Sequence, residues 1–266
     1  MSKNNETGIA LDPWHNLSQF TSARIALGRT GISLPTRACL DFQLAHALAR
    51  DAVHIPLDFT RLEKQVNLLG YQTQILQSQA ENQSMYLQRP DLGRLLNTLA
   101  MGCLLHTGKS HVDAVVVVAD GLSSKAIARH AEPFLSLLLP QLHANAYRLA
   151  PVCLVKHGRV AIGDAIAEYY AARLSIILIG ERPGLSSSDS MGIYYTYQAK
   201  LGISTDADRN CISNIHNNGL SYEQALKKLL FLINKSEKCQ FSGVNLKDET
   251  TDTGLDDQQQ VNFLLD

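Results

Sequence analysis

Val115-Val116-Val117-Val118-Ala119 is a continuous apolar run of mostly β-branched residues, the pattern of a strand buried on both faces of a sheet. Apolar stretches at 151–155 and 174–180 have the same character, and residues 192–197 are one more strand candidate. Helix-like segments separate them, at 124–147, kinked at Pro133 and Pro140, and at 164–172. Strands alternating with helices predict βαβ units. The expected fold class is therefore α/β, with a mostly parallel, Rossmann-like sheet covered by helices.

The pattern before residue 110 is different. Pro35-Thr36 is a helix-start signal, and Leu40, Leu44, Ala47 and Leu48 then fall on one helical face. Residues 59–70 read as a weaker helix. Pro90-Asp91 opens a third, with Leu92, Leu95, Leu96, Leu99 and Cys103 repeating at helical spacing. The Gln-rich stretch at 72–88 shows no clear period. Near the other end, Ser221-Tyr222-Glu223-Gln224 has the spacing of a capping box. Leu226, Leu229, Leu230 and Ile233 form the apolar stripe that follows. Four parts are expected: a flexible leader over 1–20, a mainly helical portion over 21–109, an α/β domain over 110–245, and an acidic, disordered tail over 246–266.

Composition narrows the function. The 266 residues are 45% apolar and 18% charged, with a formal net charge of -1. That balance gives no electrostatic reason to expect nucleic acid or an anionic membrane as partner. The five cysteines, at 39, 103, 153, 211 and 239, form no CxxC clamp, so free thiols in a reducing cytosol are expected. The polar start contains no apolar signal region. No apolar run approaches the roughly 20 residues of a membrane span.

Several motifs invite chemistry and must be weighed. Gly108-Lys109-Ser110 resembles part of a phosphate loop, but Cys103 stands where the first glycine belongs, and the motif follows a helix. No G-x-G-x-x-G follows a predicted strand, so a dinucleotide site has no support. Asp120 and Glu181 each follow an apolar strand and adjoin a glycine, at the sheet edge where open parallel sheets collect ligands. Gly180-Glu181-Arg182-Pro183-Gly184 sets a carboxylate and a guanidinium in one tight turn. The plainer alternative makes Glu181 and Arg182 solvated turn charges and Asp120 a helix cap. Cys211 and His216 are too far apart in sequence to imply a nucleophile with its base. Asn214-Ile215-His216-Asn217-Asn218-Gly219 approximates the D-x-H-x-x-G signature by which some proteins ligate cobalt through histidine. Asn214 replaces the aspartate that would polarise the imidazole, so His216 is not assigned as a ligand and no metal site is expected.

Three segments are specific in combination: Gly158-Arg159-Val160, Gly180 to Leu185, and Asp206-Ala207-Asp208-Arg209-Asn210-Cys211-Ile212-Ser213-Asn214-Ile215-His216. With Ala23-Arg24-Ile25, Pro35-Thr36-Arg37, Arg89-Pro90-Asp91-Leu92-Gly93-Arg94 and Ala119-Asp120-Gly121-Leu122-Ser123, they span about residues 20–245. The whole resembles the small subunit of the adenosylcobalamin-dependent ethanolamine ammonia-lyases. The resemblance implies a chain that shares adenosylcobalamin with a large catalytic subunit in a hetero-oligomer, converting ethanolamine to acetaldehyde and ammonia. It implies cofactor contacts at Val160, Glu181 and Cys211 and puts no catalytic residue in this chain; Asp120 and Arg182, in neighbouring loops, are secondary candidates for the same site. It further implies a cytoplasmic location, open or within a bacterial microcompartment, between which the leader and tail do not decide. Two other readings stay open on the residues alone. One is a self-sufficient enzyme using Glu181, Cys211 or His216, and the other is a non-catalytic adaptor or regulator.

Overall fold

The computed structural model describes residues 8–21, 23–107 and 112–249. The Gly108-Lys109-Ser110 motif, residues 1–7 of the expected leader and residues 250–266 of the expected tail lie outside them.

The apolar runs form the centre of one sheet. Strands β1 (Thr73–Gln77), β2 (Ala114–Ala119), β3 (Val152–Lys156), β4 (Leu174–Gly180), β5 (Met191–Tyr197) and β6 (Arg209–Ile215) pair in the order β1-β3-β2-β4-β5-β6. The first four in that order are parallel, and β5 and β6 continue the sheet antiparallel. Every residue of β2 and β4 is buried, as expected for strands with helices on both sides.

The helices are α1 (Thr36–His54), α2 (Phe59–Leu68), α3 (Gln83–Gln88), α4 (Thr98–Thr107), α5 (Ser124–Ala144), α6 (Ile162–Tyr169) and α7 (Tyr222–Cys239). On one face α2, α5 and α7 pack against Val116, Val118, Ile176 and Ile193. On the other, α4 and α6 pack against Val115, Val117 and Ile177. α5 carries Pro133 and Pro140 within one continuous helix. Ser123 caps it, its hydroxyl accepting the Ala126 N–H at 3.2 Å. The capping box at Ser221 and Gln224 starts α7 as expected. Among the described residues no helix is long and apolar enough to cross a membrane.

Two stretches differ from the expected pattern for identifiable reasons. The helix expected from Pro90 is divided into a 3-10 turn, Leu92–Arg94, and α4. Between them the chain bonds sideways to the β1 end: Gln79 N–H donates to the Leu95 carbonyl and Asn97 N–H to the Gln77 carbonyl. Asn97 then caps α4 through Ala100 N–H at 2.8 Å. The Gln-rich stretch without a period supplies edge strand β1 and helix α3. Its edge position, with neighbours on one side only, removes the need for a long apolar run. The head of the acidic tail also packs: Leu246 is buried in the core.

α1 is the outlier. Its expected apolar face is present, but only Ala52 is buried, and Leu40, Leu44 and Leu48 are 58%, 60% and 42% exposed. Its C-terminal end is tied down by Gln83, whose amide donates to the Val53 carbonyl at 2.8 Å.

Candidate functional site at the strand ends

The loops after β2, β3 and β4 meet at the carboxyl edge of the parallel strands, and their backbones touch. A Cβ on Gly121, whose φ is +64°, would lie 2.3 Å from the Gly180 carbonyl oxygen, and one on Gly180 would lie 2.1 Å from the Ser123 oxygen. Only glycine allows that approach. Asp120 fastens the next loop: its buried carboxylate accepts the N–H of Gly121 and of His157, each at 3.0 Å. Burial pushes its pKa up to about 6, against the opposing pull of those N–H groups. Asp120 is thus a clasp between loops, while Ser123 is the cap.

His157 turns the β3 loop through a φ of +55°. The following Arg159 spreads its guanidinium over the Tyr86 ring, 4.1 Å from the centroid, and donates to the Tyr86 carbonyl at 2.9 Å. Its Nε is buried without a partner. Val160 follows at the start of α6. Val160 and Arg159, with Pro90, Arg94, Tyr194, Asp206, Arg209 and Cys211, line a cavity of about 270 Å³.

The far wall of this cavity is the face of β5 and β6 turned toward α6. Cys211 pairs in register with Tyr194, which sets the thiol and the phenol side by side. Burial, reinforced by the nearby Glu181 charge, raises the pKa of both groups, so both are neutral at pH 7. Arg209 anchors the strand to α6 through two bonds of 2.7 Å to the buried Asp164. Asn214, at φ +66°, breaks the alternation of β6. Ile212 and Ile215 consequently both enter the core, leaving Cys211 and Ser213 exposed.

Glu181 projects from the β4 loop to the same strands. Its own N–H donates to the Ser190 carbonyl at 3.0 Å. Its carboxylate accepts from the Ser190 hydroxyl and, shared between both oxygens at 3.3 and 3.4 Å, from the Asn214 N–H. A Cβ on Gly192 would lie 2.8 Å from Glu181 Oε1, so glycine opens the seat for this side chain. Among the described residues Oε1 takes only the long Asn214 contact, which leaves acceptor capacity for an amide donor.

Val160 and Cys211 therefore share one cavity, with Glu181 held beside it and acting on Cys211 and Tyr194 through its charge. Arg182 is exposed. His216 is turned into its own loop, with Nε2 at 2.9 Å from Asn214 Oδ1 and Nδ1 accepting the Asn218 N–H at 3.3 Å. Both ring nitrogens are engaged within the loop. Tyr194, Ser190 and Asn214 were not legible as partners in the sequence. Arg159 was present in a quoted motif without a role.

The family model described as ethanolamine ammonia-lyase light chain (EutC) matches residues 11–247. This chain belongs to the ethanolamine ammonia-lyase light-chain family. It is 52% identical over 262 residues to the ethanolamine ammonia-lyase small subunit of Pseudomonas fluorescens (strain Pf0-1), covering 96% of this chain and 95% of that one. It is 50% identical over 261 residues to that of Pseudomonas putida (strain W619), covering 96% of each. To that of Pseudomonas syringae pv. tomato (strain DC3000) it is 48% identical over 277 residues, covering 100% of this chain and 96% of the relative. The match takes in α1 as well as the sheet.

Proposed function

We propose that this chain is the small subunit of an adenosylcobalamin-dependent ethanolamine ammonia-lyase and binds the cobalamin at its interface with a large catalytic subunit. The observation that carries this reading is the meeting of Val160 and Cys211 on one cavity with the fixed carboxylate of Glu181 beside it.

The residues fit the group. A corrin has a broad apolar face and a rim of amide side chains, so it calls for apolar contact together with acceptors at its edge. Val160 and the ring of Tyr194 supply contact on a sheet face left partly open. Glu181 Oε1 accepts from a rim amide, a charge-assisted bond of the stronger kind. The protonated Cys211 thiol packs without adding charge. Arg159, stacked on Tyr86 and lining the cavity, offers its guanidinium as a donor for a carbonyl of the same rim. When bound, the cofactor supplies radical chemistry, and the chain's own contribution is to hold it still and exclude water. His216 takes no part.

The bare face of α1 supports the second half of the proposal. Leu40, Leu44 and Leu48 lie exposed along one side of a helix that buries only Ala52, an arrangement that suits a surface covered by another chain.

The deciding experiment is acetaldehyde release from ethanolamine and adenosylcobalamin by the cognate large subunit, with and without this chain. Activity is expected only in the mixture. Turnover by this chain alone would favour a self-sufficient enzyme. Unaided turnover by the large subunit, with this chain still bound to it, would favour an adaptor. Within the assembled complex, Glu181→Gln is expected to weaken cobalamin retention by about 1–3 kcal/mol, read by equilibrium titration. Unchanged affinity would remove Glu181 from the site.

A further inference from the structure

The loop carrying Glu181 is not held by the sheet alone. Residues 188, 189 and 190 make three successive attachments, and the first two reach α5. The Ser188 carbonyl accepts the Ser123 hydroxyl at 2.9 Å, and its hydroxyl accepts from Lys125 Nζ at 3.4 Å. Asp189 forms an ion pair with Arg129. The buried His130 lies behind it, with Nε2 4.0 Å from the Asp189 carboxylate and Nδ1 at 2.7 Å from the Tyr222 hydroxyl. Burial raises the Asp189 pKa, but the Arg129 hydrogen bond and charge outweigh it and hold the carboxyl below its ordinary range.

The third attachment is the one that matters for the site. Ser190, next to Asp189, takes the Glu181 N–H on its carbonyl and gives its hydroxyl proton to the Glu181 carboxylate. Glu181 is thus fixed at two points by a residue whose neighbour is locked to α5. That helix buries Ile127, Ala131, Phe134, Leu135 and Leu138 and does not shift without disrupting the core. A surface turn needing only solubility would have no use for an anchor on so rigid an element.

We infer that Asp189 and Arg129 are positioning residues for Glu181, clamping its loop to α5 so that the carboxylate meets its ligand in one orientation. The inference rests on the proposed role of Glu181 as a cobalamin contact. Asp189 is joined to Glu181 through Ser190, the next residue in the chain, and this is the route by which the clasp acts.

The test is a double-mutant cycle in the complex with the large subunit, titrated with adenosylcobalamin. Asp189→Asn is expected to raise the cobalamin Kd about tenfold, while combining it with Glu181→Gln adds less than about twofold to the effect of Glu181→Gln alone. Arg129→Gln should reproduce the Asp189→Asn result. Because Arg129 is a half-exposed residue on the outer side of the clasp, it guards against misfolding of the Asp189 variant. The melting temperature of the chain and the KM for ethanolamine should stay unchanged in both. A purely structural role predicts the reverse, a lower melting temperature with the Kd intact. If Glu181→Gln weakens binding but neither clasp variant does, or if the effects simply add, the inference is overturned and the proposed function stands. If Glu181→Gln itself leaves the Kd unchanged, the underlying reading fails and the inference falls with it.

Discussion

Helices α1 and α5 are nearly equal in length, 19 and 21 residues, and both present leucines at helical spacing. α5 buries ten of its residues against the sheet and against α7, whereas α1 buries only Ala52. The same periodic pattern thus has two outcomes. An apolar stripe states that a helix needs a partner, and it does not state whether the partner is in the same chain. α5 follows β2 directly and is carried back over the sheet by the β2-α5-β3 crossover. α1 precedes β1, so no crossover between strands forces it onto the core.

The largest expected effect tests the buried side of this contrast. Phe134→Ala should destabilise the isolated chain by about 3–5 kcal/mol in urea denaturation, because the ring is fully enclosed and the site cannot collapse around the void. A loss under about 1 kcal/mol would mean that α5 is not the core helix.

The next effect concerns charge just ahead of α5. Asp120 has a pKa of about 6 in the folded chain, against roughly 3.9 when unfolded. The folded state therefore binds more protons at this group between those values, and the Asp120 contribution to stability is fully present below about pH 4 and is lost as pH rises through about 6. Relative to Asp120→Asn, the native chain should lose up to about 3 kcal/mol between pH 4 and pH 7. Parallel pH profiles for the two proteins would show that Asp120 is not buried as described.

The smallest effect on stability is expected at α1. Leu40→Ser with Leu44→Ser should change the stability of the isolated chain by no more than about 0.5 kcal/mol, while lowering its affinity for the large subunit at least about tenfold. Unaltered assembly would leave α1 without its proposed partner surface. A large loss of stability in isolation would erase the contrast with α5.

Much of the sheet was legible because buried parallel strands must be apolar throughout, as β2 and β4 are. The edges were harder to read. β1 and β6 each have a sheet neighbour on one side only, so Gln, Asn and Ser are tolerated there and no run stands out. The helix expected from Pro90 failed because Leu96 and Asn97 are claimed by the end of β1, a contact that local spacing cannot contain. At the site, Gly180 and Glu181 were visible as a glycine-flanked carboxylate after a strand. Their partners Ser190, Asn214 and Tyr194 were not visible, since each reaches Glu181 or Cys211 through strand pairing and a long loop.

The sequence by itself determined the alternation of strands and helices, the capping box that starts α7, and membership of the light-chain family. These follow from local periodicity and from residue combinations that persist along the chain. Only the tertiary structure decided which apolar stripes are covered, that β5 and β6 run antiparallel, and that Val160 and Cys211 face one cavity beside Glu181. It also decided that the His216 nitrogens are engaged within their own loop and that Asp189 is tied to α5. The reason is the same in each case. Contact between residues distant in sequence depends on how strands pair and where crossovers place helices, and spacing along the chain carries no record of either.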